Sequence, residues 1–321
     1  MENKLYKTYQ LHPVVVNKTG VFRQLNQSFA QLLIATDFIH NKQNIIVCLP
    51  NLYEAQKYYD ALSQMLDNED VLFYPADQPL TTMMALGSFE FRNERLHTLR
   101  QLLRNDRPYI VITTQQGLLQ RQLKPIDYVN SVLFLKKNQT ISLEKLVKTL
   151  TYNGYQRNYI VERPGEFSVR GNILDIFTHD NKNPYRLDFF GDEIETIKLF
   201  DVENQKSFDQ VESVAVSPLQ ELFFTDEQKE NALNKIKKHF ADKALSDKEQ
   251  QKYEQDLEHL TDRKRLDGLL QYISFFNEEE TTILNFSQKQ KIYAIDKRKM
   301  EINEKTAQSD LDTYTHTMGG T

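Results

Sequence analysis

Residues able to do chemistry are few in this chain, and the first to test lie in "VVVNKTGVFRQL". Lys18, Thr19 and Gly20 fall where a β-branched run gives way to helical spacing. A phosphate-binding loop at such a junction needs glycines for a tight backbone, a lysine for the phosphates and a hydroxyl for magnesium, in the order GxxxxGK[ST]. Here a single glycine follows the Lys-Thr pair, and no GK[ST] occurs anywhere in the chain. Lys18 and Thr19 could meet an anion at a helix N-terminus. The spacing reads as an ordinary strand-to-helix turn, without a bound cofactor, in a chain that does not hydrolyse ATP.

Metal and nucleophile chemistry lack their residues. The histidines, at 12, 40, 97, 179, 239, 259 and 316, are scattered, with no two four residues apart. One cysteine, Cys48, cannot build a zinc finger or an internal disulfide. It sits in the apolar run "NIIVCLP", as a buried structural thiol would. There is no GxSxG elbow. The acidic pair Asp192 and Glu193 falls in a turn, where solvated carboxylates are ordinary. No catalytic residue and no metal site is expected.

Recognition chemistry is better represented. In Arg186-Leu187-Asp188-Phe189-Phe190 an alternating strand sends Leu187 and Phe189 to one face, and Arg186, Asp188 and Phe190 to the other. Phe190 is therefore placed on a polar face beside an arginine. The preceding stretch puts Phe167, Val169 and Ile173 on one phase, and Ser168, Arg170 and Asn172 on the opposite one, with Gly171 as a possible bulge. Pairing of these strands would gather Arg170, Arg186 and Phe190 on the outer face. Arginines beside an exposed aromatic have the composition of an interface hot spot. Because Arg186 points outward, its truncation is expected to leave stability nearly unchanged.

The elements that must carry these residues alternate at first. "QNIIVCLP", "DVLFYPA" and "PYIVITT" read as buried strands. "VFRQLNQSFAQLLIATDFIHNK", "NLYEAQKYYDALSQML" with Asn51 as cap, "SFEFRNERLHTLRQLLRNDR" with Ser88 as cap, and "TQQGLLQRQL" read as helices between them. That order implies a parallel sheet with helices on its faces, a Rossmann-like α/β domain. From about Tyr128 the rhythm changes to one helix, "SLEKLVKTLTYNGY", capped by Ser142 and stopped at Gly154, followed by consecutive strands. This is an inserted α+β domain with an antiparallel sheet. Beyond Pro218 the chain is helical and highly charged, with strand-like fragments at "TTILNF" and "KIYAID". The expected organisation is a first domain over 1–131 that resumes over 218–321, with the second inserted at 132–217.

Charge narrows the partners. The 321 residues carry a net charge of −5, which argues against a dedicated nucleic-acid surface. Within 132–217, 11 Lys+Arg stand against 13 Asp+Glu, which favours a protein partner for the arginine patch. A lone cysteine and the absence of a signal-like or spanning apolar run point to a cytoplasmic protein that does not meet a membrane. The final "SDLDTYTHTMGGT" has no helix, cap or apolar anchor, and reads either as a disordered terminus or as a chain cut before a next domain.

"GEFSVRGNILDIF", "PYRLDFFGDEIETIKLFDVENQKS" and "FYPADQPLTTMMALGSFEFRNERLHTLRQLL" resemble the module shared by the excision-repair helicase UvrB and the bacterial transcription-repair coupling factors. UvrB has an intact ATP loop and a long DNA-wedging hairpin. Here the loop is degenerate and only a short segment separates Pro79 from the helix with Arg95, so the N-terminal region of the coupling factors is the nearer match. The resemblance implies a degenerate, helicase-type fold without activity, whose inserted domain recruits UvrA, and it makes Lys18, Thr19 and Gly20 a vestigial loop. Family residues for that contact match Arg170, Arg186 and Phe190, with Arg163, Glu166 and Glu193 as possible neighbours. It further implies a parent protein that binds RNA polymerase and double-stranded DNA, and that uses ATP and Mg only in translocase domains outside this sequence. The alternatives are a UvrB-like, ATP-dependent helicase fragment and a direct DNA-binding module.

Overall fold

The computed structural model describes residues 20–21, 25–76, 89–241, 243–263, 266–306 and 309. The β-branched run before Lys18, Lys18 itself, Thr19 and the cap Ser88 lie outside the described residues. The chain divides into two compact units, one of residues 1–122 and 277–321 with the short piece 245–247, the other of 123–244 and 248–276.

In the first unit, strands β1 (Asn44–Leu49), β2 (Val71–Tyr74), β3 (Ile110–Thr114) and β12 (Gln290–Ala294) form one parallel sheet in the order β12-β1-β3-β2. β1, β2 and β3 are apolar and almost wholly buried, as strands covered on both faces must be. Helices α1 (Gln27–Asn41), α2 (Leu52–Met65), α3 (Phe89–Arg104) and the short α4 (Gln115–Leu119) belong to this unit. Asn51 caps α2 by accepting a hydrogen bond from the Glu54 N–H at 2.9 Å. Ala55, Tyr58 and Leu62, spaced on one helical stripe, bury its inner face. α1 starts at Asn26 rather than at Val21, which is exposed, because the Asn26 side chain accepts from the Phe29 N–H at 2.8 Å.

β12 arrives from the far end of the sequence and is fastened to α1. The buried Asp37 carboxylate accepts from Lys291 Nζ at 2.8 and 2.9 Å and from the Tyr293 hydroxyl at 2.7 Å. Where the chain leaves and re-enters the unit, the Gln122 N–H donates to the Thr281 carbonyl at 2.9 Å, and Asn277 Nδ2 donates to the Gln122 carbonyl at 3.0 Å. "TTILNF", expected as a strand fragment, is instead a 3-10 turn over Ile283–Phe286. The Thr282 hydroxyl caps it by accepting from the Leu284 N–H, and Asn285 accepts from the Thr282 N–H. A helical stretch follows β12 over 297–306.

The second unit opens with α5 (Pro125–Ser131) and β4 (Leu133–Lys136). α6 (Leu143–Tyr152) is capped by Ser142 and ended by Gly154 at φ +92°, in the left-handed region that glycine tolerates. Then come β5 (Gln156–Arg157), β6 (Glu166–Arg170), β7 (Ile173–Ile176), β8 (Tyr185–Phe190), β9 (Glu193–Phe200), β10 (Ser207–Val211) and β11 (Ser213–Val216). β5 to β10 form a six-stranded sheet in sequence order, antiparallel apart from the β5–β6 pair, while β11 pairs with β4. Its core gathers Leu146 and Leu150 of α6 with Phe167, Leu174, Ile176, Leu187, Phe189, Ile194 and Ile197 from one face of the sheet.

The molecule is thus an α/β protein with a parallel sheet and separate antiparallel sheets. Its units meet the chain at 122/123 and 276/277, whereas the sequence suggested 131/132 and 217/218. Side chains beyond Pro218 explain the later return. Phe224 stacks on Phe276 at 4.6 Å, and Arg263, from the turn after α8 (Asp247–Asp262), donates to the Phe224 carbonyl at 2.6 Å. α7 (Asp226–Phe240), with its Thr225–Gln228 capping box, and the four-residue α9 (Ile273–Phe276) complete this group.

Candidate partner-binding site

The outer face of the six-stranded sheet is the one turned away from the core cluster. Cross-strand register fixes its members. Ser168 lies opposite Asp175, which lies opposite Arg186, which lies opposite Lys198. One step along, Arg170 lies opposite Ile173, and Ile173 opposite Asp188. Phe190 ends β8 two residues beyond Asp188 and faces Glu193. Arg170, Arg186 and Phe190 therefore share a face, as the alternation predicted, but β6 and β8 do not pair because β7 runs between them.

Gly171 is not a bulge. It is the first residue of a two-residue hairpin, Gly171-Asn172, at φ +60°, the backbone sign a type II′ turn demands of its first central residue. Because the chain reverses there, Ile173 shares a face with Arg170, not with Phe167. The β8–β9 hairpin repeats the device with Gly191 at φ +60°. The Phe189 N–H donates to the Asn172 carbonyl at 2.8 Å, so the two hairpin ends lie side by side, and Phe190 projects there with 79% of its surface exposed. The bulge is between Asp188 and Phe189 on the β8–β9 ladder, and Phe189 stays in the core across it.

The two arginines differ sharply in access. Both reach the carboxylate of Asp175, whose side chain is 1% exposed. Arg186 binds it through Nε at 2.7 Å and Nη2 at 2.9 Å, and Arg170 through Nη2 at 2.6 Å. Arg186 also donates to the Gln205 carbonyl at 3.0 Å, and its guanidinium lies 4.3 Å from the Phe200 ring centre. The expectation that Arg186 points freely outward is corrected: its side chain is 15% exposed against 39% for Arg170. The Asp175 hydrogen bonds, opposed by burial and supported by the Asp175 and Asp188 charges, hold its guanidinium above the usual pKa.

A strap over 158–165 closes this end of the face. Val161, Phe177 and Phe200 form a second small core on the outer side of the sheet, joined by Val202. Gln205 Nε2 donates to the Val161 carbonyl at 3.3 Å, and Gln205 itself takes φ +59°. The Glu166 carboxylate accepts from the N–H groups of Glu162 and Arg163 at 2.9 and 3.0 Å. Glu166 is thus engaged in holding the strap, whereas Arg163 and Glu193 are exposed.

Asp188 pairs with Lys198 Nζ at 2.8 Å and accepts from the Thr196 hydroxyl at 2.5 Å. Burial pushes its carboxyl up, but the hydrogen bonds from Lys198 and Thr196 and the charges of Lys198 and Arg186 outweigh it and hold the pKa below the ordinary value. Sequence reading missed Asp175. The signal was present, since Asp175 is the one acid inside "ILDIF", a run otherwise apolar.

Of Lys18, Thr19 and Gly20 only Gly20 is described, and it is exposed. Among the described residues no group of three or more His, Cys, Asp or Glu is placed to hold a metal ion, and no helix is long and apolar enough to cross a membrane.

A family model described as the UvrB interaction domain matches residues 133–222, the stretch that contains Arg170, Asp175, Arg186 and Phe190. The chain is similar to the transcription-repair-coupling factor of Bacillus subtilis, 28% identical over 297 residues, covering 88% of this chain and 25% of that protein. It is 28% identical to the one of Staphylococcus aureus USA300 over 94% of this chain and 27% of that protein. For the Staphylococcus epidermidis RP62A protein the figure is 25%, over 90% of this chain and 25% of the relative. The chain spans about a quarter of the length of the curated relatives it matches. These similarities bear out the resemblance read in the sequence.

Proposed function

We propose that this chain is a non-catalytic docking module of a transcription-repair-coupling factor, and that the outer face of its six-stranded sheet binds UvrA. The observation that carries this is Phe190, a large aromatic left bare at a hairpin end, on the same sheet face as Arg170 and inside the region matched by the UvrB interaction domain. An exposed aromatic with a neighbouring arginine supplies the apolar anchor and the directional charge of an interface hot spot. In the longer parent, the module would bring UvrA to a stalled RNA polymerase, with double-stranded DNA, ATP and Mg engaged by other domains. The module itself would need no cofactor and would act in the cytoplasm.

Titration of UvrA with this chain, wild type against Phe190→Ala, is the test. A clear loss of affinity in a folded variant supports the reading, and equal affinity overturns it. ATP turnover by the chain alone would revive the helicase reading. DNA binding that falls steeply with added salt would revive the nucleic-acid one.

A further inference from the structure

We propose that Asp175 is a positioning residue of this docking surface: its buried carboxylate fixes the pose in which Arg170 meets the partner, while Arg186 belongs to the frame that holds Asp175. The inference rests on the docking reading above. Asp175 lies directly opposite Arg186 on β8 and Ser168 on β6, and Arg170 is two residues beyond Ser168. Arg170 therefore reaches it diagonally, a spacing that long side chains span.

Arg186 occupies both carboxylate oxygens, is stacked on Phe200, and spends a further donor on the Gln205 carbonyl. It has little left to offer a visitor. Arg170 gives Asp175 only its Nη2 and keeps the more exposed side chain of the two. Among the described residues the Ser168 hydroxyl, buried beside the carboxylate, has no hydrogen-bond partner, and the side-chain donors on Asp175 are the two guanidinium groups. Without that carboxylate two like charges would share one face and Arg170 would sample many rotamers. Ordering it beforehand reduces what docking must freeze. Arg170 offers donors only. The partner group that fits is a carboxylate or a carbonyl oxygen.

The test is a double-mutant cycle on the full 321-residue chain, titrated with UvrA. Arg170→Ala should weaken binding about tenfold in the native background. In the Asp175→Asn background the same change should cost less than about twofold, because Arg170 has already lost its pose. Equal losses in the two backgrounds overturn the proposal. A loss of stability alone would not produce that coupling. Should Asp175→Asn not fold, guanidinium nitrogen spectra of the wild-type chain decide instead: separate, protected signals for Arg170 are expected, and a freely averaged signal overturns the proposal. If wild-type chain does not bind UvrA, the docking reading falls, and the same spectra still judge the role of Asp175.

Discussion

Arg186 and Phe190 stand on one strand and one face, four residues apart, yet Arg186 is enclosed by Asp175, Phe200 and the Gln205 carbonyl while Phe190 is bare. The strap over 158–165 and the loop carrying Gln205 cover one end of the face and leave the other open. Access to a partner is thus set by what lies over the sheet, and strand parity alone does not determine it.

The adjacent phenylalanines should separate binding from folding. Phe190→Ala is expected to weaken UvrA binding by about 1–3 kcal/mol with hydrogen exchange of the sheet unchanged. Phe189→Ala empties a core position among Leu187, Ile194 and Ile197 and should destabilise its unit by roughly 3–5 kcal/mol. Reversal of the two outcomes would mean that the strand is turned the other way.

Arg186→Ala should lower stability as well as binding. It removes both bidentate hydrogen bonds from a buried carboxylate, leaving Arg170 as the remaining donor to Asp175. A loss of about 1.5–3 kcal/mol is expected, the range for hydrogen bonds to a charged group. Exchange rates of the β7 and β8 amides measure it directly, and unchanged rates would show that the arginine is dispensable to the fold.

Acid should loosen the β8–β9 hairpin through Asp188. Its carboxyl titrates lower in the folded chain than in the unfolded one, so on acidification the unfolded state binds the proton first. The stabilisation is complete above the ordinary carboxylate range and is lost as pH falls from about 4 through the folded value. Amide protection factors in β8 and β9, with the intrinsic pH dependence of exchange divided out, should fall in wild type between neutral pH and about pH 3, and Asp188→Asn should flatten that slope. A slope identical in both proteins would remove Asp188 from the account.

Cys48 should be inert to thiol reagents in the native chain. It is buried in β1, and burial pushes its thiol up to about 11. Labelling should appear only on unfolding; rapid labelling at neutral pH in the folded protein would contradict this placement.

Much of the architecture was legible because strong local signals agreed with the global fold. The apolar runs of β1, β2 and β3 have no polar alternative, and the Asn51 and Ser142 caps open their helices where the sequence placed them. α5 escaped notice because seven residues beginning with a proline give too little period to recognise. The site was half legible. Alternation placed Phe190 outside correctly, since parity within one strand is local. It could not reveal that β7 separates β6 from β8, because Gly171 served a turn and a bulge equally well on sequence alone. Nor could it show the Arg186 enclosure, which depends on Gln205 and Phe200, nineteen and fourteen residues away in the chain.

The paired hairpin ends at Gly171 and Gly191 have a consequence for chirality. Among the described residues, chain neighbours aside, a β-carbon added at either would find no atom within 4 Å, so space does not restrict these positions, while φ of +60° does. A mirror-image alanine introduced by chemical synthesis satisfies that torsion and an ordinary alanine opposes it. The tip that offers Phe190 could accordingly be stiffened by handedness alone, with every outward side chain left as it is.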